Sequence, residues 1–372
     1  MRITCVIGPY LPVPPLRGGA VERIWHSLCV EFARMGHDVT MISRRFSELP
    51  NDEIREGIHY IRVPSNDAPK SKLLYRFFDV IYGIKVCAAL PSSDITITNS
   101  VSLPFFIPRA RAGAIYVSVG RFPKGYMHLY ARADRLQAVS QAIADAMRTQ
   151  SPSVAARVKV LPNALSPKFT RLRRLSRGQR KKEIIFVGRI AREKGLHLLI
   201  RAFLKINGHA DWRVTLLGPS AVGDGGDGSN YFAELKALIG ENRARIKIEP
   251  AIFDETTLVE RLQVAEIFVY PSMAERGESF GMAPLEAMAC GCAVVVSSLP
   301  CFKEFVVADH NALVFDHRLD AETELACKLE RLMSSNTLRD ELGLAAINTS
   351  RYFDVDRIAK LFVADFAKVI SK

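Results

Sequence analysis

Hydrophobic and polar positions near the start of the chain alternate between two periods. Residues 3–7 form a short apolar run that stops at Gly8, which is typical of a buried strand. Over residues 21–35 the apolar side chains recur every third or fourth position, which predicts a helix that ends at Gly36. Residues 39–42 are again apolar and predict the next strand. Units of this kind form a parallel sheet with helices packed on its faces.

The same pattern restarts in the second half of the chain. Strands are predicted over 183–187, 213–217, 246–248, 267–270 and 293–297, and helices over 195–206, 230–239, 257–264 and from 285. Residues 171–182 between the two halves hold seven Lys or Arg, which favours a solvated basic linker. The sequence therefore predicts an α/β protein with two doubly wound, Rossmann-like domains. Their predicted bounds are 1–165 and 183–351, with a linker at 166–182 and a terminal helix within 352–372.

Composition narrows the class of protein. The 372 residues suffice for two domains, and 48% hydrophobic with 24% charged residues is usual for a soluble folded chain. Seven cysteines without a C-x-x-C pair favour a reducing compartment over a disulfide framework. No apolar stretch reaches the roughly 18 residues that a membrane-spanning helix needs, and the N-terminal apolar run is too short for a signal peptide. We expect a cytoplasmic protein.

The net charge of +12 indicates which kinds of partner the protein can bind. A basic surface suits nucleic acid, an anionic membrane or phosphorylated substrates. The basic segment 171–182 lacks the aromatic residues of a stacking platform, so we expect no nucleic acid.

Candidate chemistry follows the strand ending near residue 270. In open parallel sheets ligands bind outside the carboxyl ends of strands. Backbone N–H groups of Gly281, Met282 and Ala283 begin the next helix and can hold a diphosphate. Glu286, one turn further, can accept both hydrogens of a ribose diol, and Glu278 can reach a group attached to the diphosphate. A helix-dipole role is an alternative explanation of Glu286 but leaves the long loop unexplained.

Two further loops carry cations or glycines at predicted strand ends. Arg189 and Lys194 can neutralise a departing diphosphate, although a solvated basic turn explains this loop taken alone. Gly18 and Gly19 precede the first helix and let the backbone approach an anion, or form a simple turn. The G-x-G-x-x-G run at 223–228 stands too far from its strand for a dinucleotide fingerprint, and we interpret it as a plain loop.

These residues together resemble the retaining nucleotide-sugar transferases of glycosyltransferase family 4, which have the GT-B fold. The most specific part is Pro271-Ser272…Glu278-Ser-Phe-Gly281…Glu286-Ala-Met-Ala-x-Gly291. Supporting segments are Val187-Gly188-Arg189…Glu193-Lys194-Gly195, Gly18-Gly19, Gly36-His37-Asp38-Val39, Leu161-Pro162-Asn163-Ala164 and Phe353-Asp354-Val355-Asp356. Ala164 stands where a glycine is usual.

The resemblance implies a role for each matched residue. It implies that Glu278 contacts the donor sugar and Glu286 the ribose, that Arg189 and Lys194 bind the diphosphate, and that Gly19 approaches it from the first domain. It also implies two domains facing each other across a cleft, and a terminal helix that returns to the first domain. The histidine that family members often carry after a middle strand of the first domain is missing here. We therefore give no histidine a catalytic role.

The implied function is transfer of a hexose from a UDP- or GDP-sugar to a sugar or lipid-linked acceptor, in cell-surface polysaccharide or glycolipid synthesis. No Asp-x-Asp stands in the strand-end loops, so we expect neither a metal nor another cofactor. A nucleotide-sugar epimerase or a phosphorylase of the same two-domain fold is the alternative, since fold does not fix chemistry.

Residues 70–90 combine apolar and basic positions at helical spacing. The cations are Lys70, Lys72, Arg76 and Lys85, and the apolar residues are Leu73, Leu74, Phe77, Phe78, Ile81 and Ile84. The pattern fits an amphipathic helix lying on the inner face of an anionic membrane. It fits equally a helix packed on the sheet with an exposed basic face.

Overall fold

The chain divides into two compact α/β units. The computed structural model describes residues 1–16, 19–69, 71–170, 175 and 177–371. Unit 1 comprises Met1–Ser166 and Phe353–Lys372, and unit 2 comprises Pro167–Tyr352. Each is built on one largely parallel sheet, which confirms the predicted class of two doubly wound domains.

Unit 1 has a sheet in the order β3-β4-β2-β1-β5-β6-β7-β8, in which only the β3–β4 pair is antiparallel among the described residues. The strands are β1 Arg2–Val6, β2 Asp38–Arg44, β3 Asp52–Arg55, β4 Ile58–Val63, β5 Ile95–Thr98, β6 Ala114–Val119, β7 Arg135–Ala138 and β8 Val158–Val160. The first five helices are α1 Ala20–Arg34, α2 Lys72–Ala89, α3 Leu103–Phe106, α4 Arg109–Ala112 and α5 Gln141–Gln150. Strand β1 lies between β2 and β5, and four of its five residues are buried, as expected for a strand covered on both faces.

Unit 2 has an all-parallel sheet in the order β11-β10-β9-β12-β13-β14. Its strands are β9 Lys181–Val187, β10 Arg213–Leu217, β11 Ile246–Glu249, β12 Ala265–Tyr270, β13 Ala293–Ser297 and β14 Leu313–Phe315. Its helices are α6 Pro167–Thr170, α7 Leu196–Lys205, α8 Gly228–Ile239, α9 Glu255–Gln263, α10 Met282–Ala289, α11 Ala321–Ser334 and α12 Asn336–Ser350. The chain moves outward from β9 in one direction and from β12 in the other. The β9–β12 boundary is therefore the switch point where open parallel sheets bind ligands.

The predicted linker at 166–182 is largely part of unit 2. Helix α6 lies inside it, and β9 begins at Lys181 rather than at 183. Arg180 is not a solvated charge, because its guanidinium donates to the carbonyl oxygens of Gly291 at 2.8 Å and Cys290 at 2.9 Å. These carbonyls follow the end of α10, where helical partners run out. The basic residues at 171–174 lie outside the described residues.

The last helix, α13 Val355–Ile370, belongs to unit 1. Phe362 packs against Trp25 of α1 with ring centroids 5.3 Å apart. Asp365 accepts hydrogen bonds from the Tyr116 hydroxyl at 3.1 Å and from the Arg135 guanidinium at 2.9 Å. The helix thus adds both apolar contact and a buried polar network to the domain in which the chain begins.

Candidate functional site

A buried ion pair lies at the switch point of unit 2. Lys194 follows β9 and Glu278 follows β12, and their Nζ and Oε2 atoms are 2.6 Å apart. The two side chains are only 6% and 11% exposed. Burial removes the hydration of both charges, so a buried ion pair seldom contributes net stability. Removing one partner, however, would leave the other charge buried and uncompensated. Lys194 is therefore not part of a solvated turn.

The surroundings of the pair hold both side chains in place. The Lys194 ammonium lies 5.3 Å from the centroid of the Tyr270 ring, a distance at which the ring face attracts a cation. Ser272 donates a long hydrogen bond of 3.5 Å to Glu278 Oε2. Burial, reinforced by the neighbouring Glu278 carboxylate, holds the pKa of the Tyr270 phenol well above its usual value. Tyr270 is therefore a neutral neighbour of the pair.

The loop that carries Lys194 is tied to the loop that carries Glu278. The Glu193 carbonyl oxygen accepts the Met273 N–H at 2.8 Å. Gly195 follows with a φ of 69°, and a Cβ there would overlap the carbonyl oxygen of Pro271. Only glycine allows this approach of the two backbones. The contact between the two strand-end loops thus explains why a glycine directly follows Lys194.

Arg189 contacts both its own loop and the glycine-rich loop that follows β10. Its guanidinium donates to the Gly225 carbonyl oxygen at 2.8 Å and to Glu193 Oε1 at 2.7 Å, and its side chain is 44% exposed. A Cβ on Gly225 would come within 2.9 Å of Arg189 Cδ. The glycine-rich loop at 223–228 is therefore the surface against which Arg189 rests, a function that its sequence motif did not reveal.

Helix α10 begins directly after the Glu278 loop. Gly281 precedes it with a φ of 92°, and a Cβ there would lie 2.5 Å from the Phe302 ring. The N–H groups of Met282 and Ala283, in its first turn, have no acceptor within the helix. Glu286 is buried in the second turn, with 5% exposure. Glu278, the start of α10 and Glu286 thus follow one another along a single strand–loop–helix segment.

The glycine loop of unit 1 lies against an acidic residue in the first turn of α1, Glu22, that sequence reasoning missed. Gly19 immediately precedes α1 with a φ of 92°, whereas Gly18 lies outside the described residues. The Glu22 carboxylate packs so closely against Gly19 that a Cβ would overlap it. Burial raises the pKa of Glu22, and Arg121 opposes that rise. An acidic residue three positions after a glycine pair, at the start of a helix, was the available signal.

Two features are absent from the described part of the chain. There, no three His, Cys, Asp or Glu side chains are grouped so that they could hold a metal ion. Within the same residues, none of the helices is both long and apolar enough to cross a membrane.

Comparison with known proteins identifies the family. Residues 17–169 match the model described as Glycosyltransferase Family 4, and residues 169–349 match the model described as Glycosyl transferases group 1. The chain is a family-4 glycosyltransferase. This confirms the resemblance drawn from the Glu278–Glu286 segment and its supporting motifs.

Relatives and solved structures extend over nearly the whole of this glycosyltransferase. A D-inositol 3-phosphate glycosyltransferase from Paenarthrobacter aurescens is 26% identical, with 95% of this chain and 86% of the relative covered. The sucrose-phosphate synthase of Thermosynechococcus elongatus superposes with a TM-score of 0.82 at 18% identity, covering 100% of both chains. Anabaena HepE, solved in complex with UDP, superposes with a TM-score of 0.71 at 19% identity, covering 99% of this chain and 100% of HepE. The fold is GT-B.

Proposed function

We propose that this glycosyltransferase moves a hexose from a UDP- or GDP-sugar to a sugar or lipid-linked acceptor and retains the anomeric configuration. The observation that carries the proposal is the buried Lys194–Glu278 pair at the β9–β12 switch point, directly before the start of α10. The UDP in the HepE crystal structure supports a nucleoside-diphosphate donor. The cellular role that fits is polysaccharide or glycolipid synthesis at the inner face of the membrane.

The proposed mechanism uses charges that unit 2 already holds in place. Departure of the nucleoside diphosphate leaves an oxocarbenium-like sugar and a growing negative charge on phosphate. Lys194, Arg189 and the N–H groups at the start of α10 stabilise that charge, and they need little reorganisation because they are fixed in advance. Glu286 holds the ribose, and Glu278 holds the donor sugar.

Lys194 and Glu278 change partners when the donor binds in this scheme. Without a donor each neutralises the other, so neither buried charge is left uncompensated. A bound diphosphate offers Lys194 a second anion, and the sugar hydroxyls offer Glu278 donors. The pair therefore keeps the site charged and ordered before the substrate arrives.

Metal independence is part of the proposal and follows from the same cations. Arg189 and Lys194 supply the positive charge that Mg²⁺ or Mn²⁺ would otherwise bring to a diphosphate. Transfer is expected to continue in excess EDTA. Complete loss of activity, restored by adding Mn²⁺ or Mg²⁺, would contradict this part.

The deciding experiment is a donor panel. Purified protein is incubated with UDP- and GDP-sugars, and release of the nucleoside diphosphate is followed with and without simple sugar acceptors. We expect turnover with a narrow set of donors and, by NMR, a product with the anomeric configuration of the donor. A product of inverted configuration would overturn the retaining mechanism, and sugar isomerisation without transfer would favour an epimerase.

A further inference from the structure

Helix α2 of unit 1 presents a hydrophobic face to the outside. Leu73, Phe77 and Ile84 are 81%, 57% and 59% exposed. They stand four and seven residues apart, so they form one stripe along the helix. Leu74 and Val80 are also exposed beside it, at 48% and 38%. A helix on the surface of a soluble domain normally carries polar residues on this face, and a contiguous apolar patch marks an interaction site.

The inward face of α2 is already satisfied by the domain core. Tyr82 and Val86 are buried, and the Tyr82 hydroxyl donates to the Ile7 carbonyl oxygen at 2.9 Å. The helix sequence contains one acidic residue, Asp79, and it also points inward. Its carboxylate accepts hydrogen bonds from Ser100 Oγ at 3.0 Å and from Ser102 Oγ at 2.6 Å. The outward stripe is therefore a second apolar face, and α2 places no negative charge on it.

Cations flank the stripe on both sides. At about 100° per residue, Arg76 lies roughly 100° to one side of Phe77 and Lys85 roughly 80° to the other. The Lys85 ammonium donates to the Pro64 carbonyl oxygen at 3.1 Å, which holds it at the edge of the helix.

The arrangement of charges around the apolar stripe favours an anionic lipid surface as its partner. Acyl chains can cover the apolar stripe while anionic headgroups meet the cations at its borders. A second copy packed through the same face would bring Arg76 and Lys85 of both chains together without an acidic partner on the helix, which costs free energy. The net charge of +12 further attracts the chain to an anionic surface.

We propose that α2 docks unit 1 on an anionic bilayer, with Leu73, Phe77 and Ile84 in the hydrophobic interface and Arg76 and Lys85 at the headgroups. The proposal takes up the first of the two interpretations of residues 70–90, because the centre of the exposed face of α2 is apolar rather than basic. Lys70 itself lies outside the described residues. The inference concerns where the protein resides and does not rest on the donor, the acceptor or the stereochemistry.

Vesicle flotation of the full chain tests the proposal. Wild type is expected to float with phosphatidylcholine vesicles that contain phosphatidylglycerol and to remain in solution with phosphatidylcholine alone. The double variant Phe77→Gln/Ile84→Gln should partition roughly 10- to 100-fold more weakly, because two apolar side chains no longer enter the interface. Ile54→Gln is the matched control, since Ile54 on β3 is 80% exposed and lies in the same unit. It should float as wild type does.

A fluorescence variant reports the depth of insertion independently. Both native tryptophans, Trp25 and Trp212, are buried, at 3% and 1% exposure. Emission from Phe77→Trp should shift to the blue and be quenched by brominated lipid on anionic vesicles, whereas Ile54→Trp should not respond. Unchanged flotation of the double variant, or equal binding to both vesicle types, would overturn the proposal. So would a dimer in sedimentation that the double variant dissociates, because a second copy would then cover the stripe.

Discussion

At the scale of single residues, the proposed site depends on the ion pair between Lys194 and Glu278. Each is buried and each neutralises the other at 2.6 Å. Lys194→Met is expected to lower the free energy of unfolding by about 3–5 kcal/mol, because it leaves a buried carboxylate without a counterion. Lys194→Met/Glu278→Gln should recover most of that loss and yet remain inactive. Urea denaturation and donor turnover measure the two effects. A double variant as unstable as Lys194→Met would show that the pair itself is not the cause.

Substitution of Glu278 and substitution of Glu286 are expected to change the kinetics in different ways. In the proposed function, Glu286 holds the ribose, which does not change during reaction, so Glu286→Gln should mainly raise the donor KM. Glu278 holds the sugar on which charge develops, so Glu278→Gln should lower kcat while free nucleoside diphosphate binds nearly as tightly as before. Steady-state kinetics and calorimetric binding of the nucleoside diphosphate distinguish the two.

The matched control for these variants is Glu275→Gln. Glu275 lies in the same loop, is 46% exposed and pairs with His317 and Arg318 rather than with Lys194. It should change neither constant by more than a small factor. Weaker nucleotide binding by Glu278→Gln, together with normal binding by Glu286→Gln, would reverse the two roles.

At the scale of elements, Glu183 joins β9, β10 and α9. It accepts hydrogen bonds from Thr215 Oγ1 at 2.5 Å and from Arg261 Nη1 and Nη2 at 2.5 and 2.6 Å. Burial acts to raise the pKa of Glu183, but the hydrogen bonds from Arg261 and Thr215 outweigh it and hold the pKa below its usual value of 4.5. The cluster therefore stabilises unit 2 only while Glu183 is ionised.

The pH dependence of stability follows from that lowered pKa. The contribution is present above pH 4.5 and is lost as the pH falls through the folded-state pKa, because the unfolded chain then binds the proton more readily. Glu183→Gln should melt below wild type at pH 7, and the gap in Tm should narrow as the pH drops below 4.5. Glu249→Gln, at the edge of the same cluster, is the control. A Tm gap that stays constant with pH would show that charge on Glu183 is not the cause.

At the scale of the whole molecule, the chain leaves unit 1 and returns to it at one place. The Leu165 N–H donates to the Phe353 carbonyl oxygen at 2.8 Å, so the points of departure and return are adjacent. Residues 167–352 can therefore be excised and residue 166 joined to residue 353 by a short Gly-Ser linker. The joined unit 1 should fold, whereas residues 1–166 alone should be unstable because the apolar face of α1 loses α13.

The excised unit 2 supplies the complementary test. Arg189, Lys194, Glu278 and Glu286 all lie within Pro167–Tyr352. This fragment should fold and bind UDP or GDP in calorimetry, and it should not transfer sugar. Thermal melts of both fragments check folding. If residues 1–166 alone were as stable as the joined form, α13 would not be an integral part of the unit 1 core.

The sequence by itself determined the succession of elements at the start of the chain and through most of unit 2, and the kinds of chemistry at their ends. Buried strands and amphipathic helices differ in the spacing of their apolar residues, and Gly8 and Gly36 mark where elements stop. Residues close together in the chain therefore suffice to predict an element. The same locality explains why α1 was predicted within one residue at each end. It also explains why Glu278, Gly281 and Glu286 could be assigned to one segment.

Only the tertiary structure decided which distant residues meet. Lys194 and Glu278 are 84 residues apart, and they pair because β9 and β12 are neighbours in the sheet. The sequence favoured a solvated linker charge at Arg180, whereas in the structure its guanidinium donates to the Gly291 carbonyl oxygen. Helix α2 has two apolar faces, and its periodicity is the same whichever of them packs on the sheet. Strand order and the choice of buried face depend on contacts between segments far apart in the chain, and a local pattern carries no record of them.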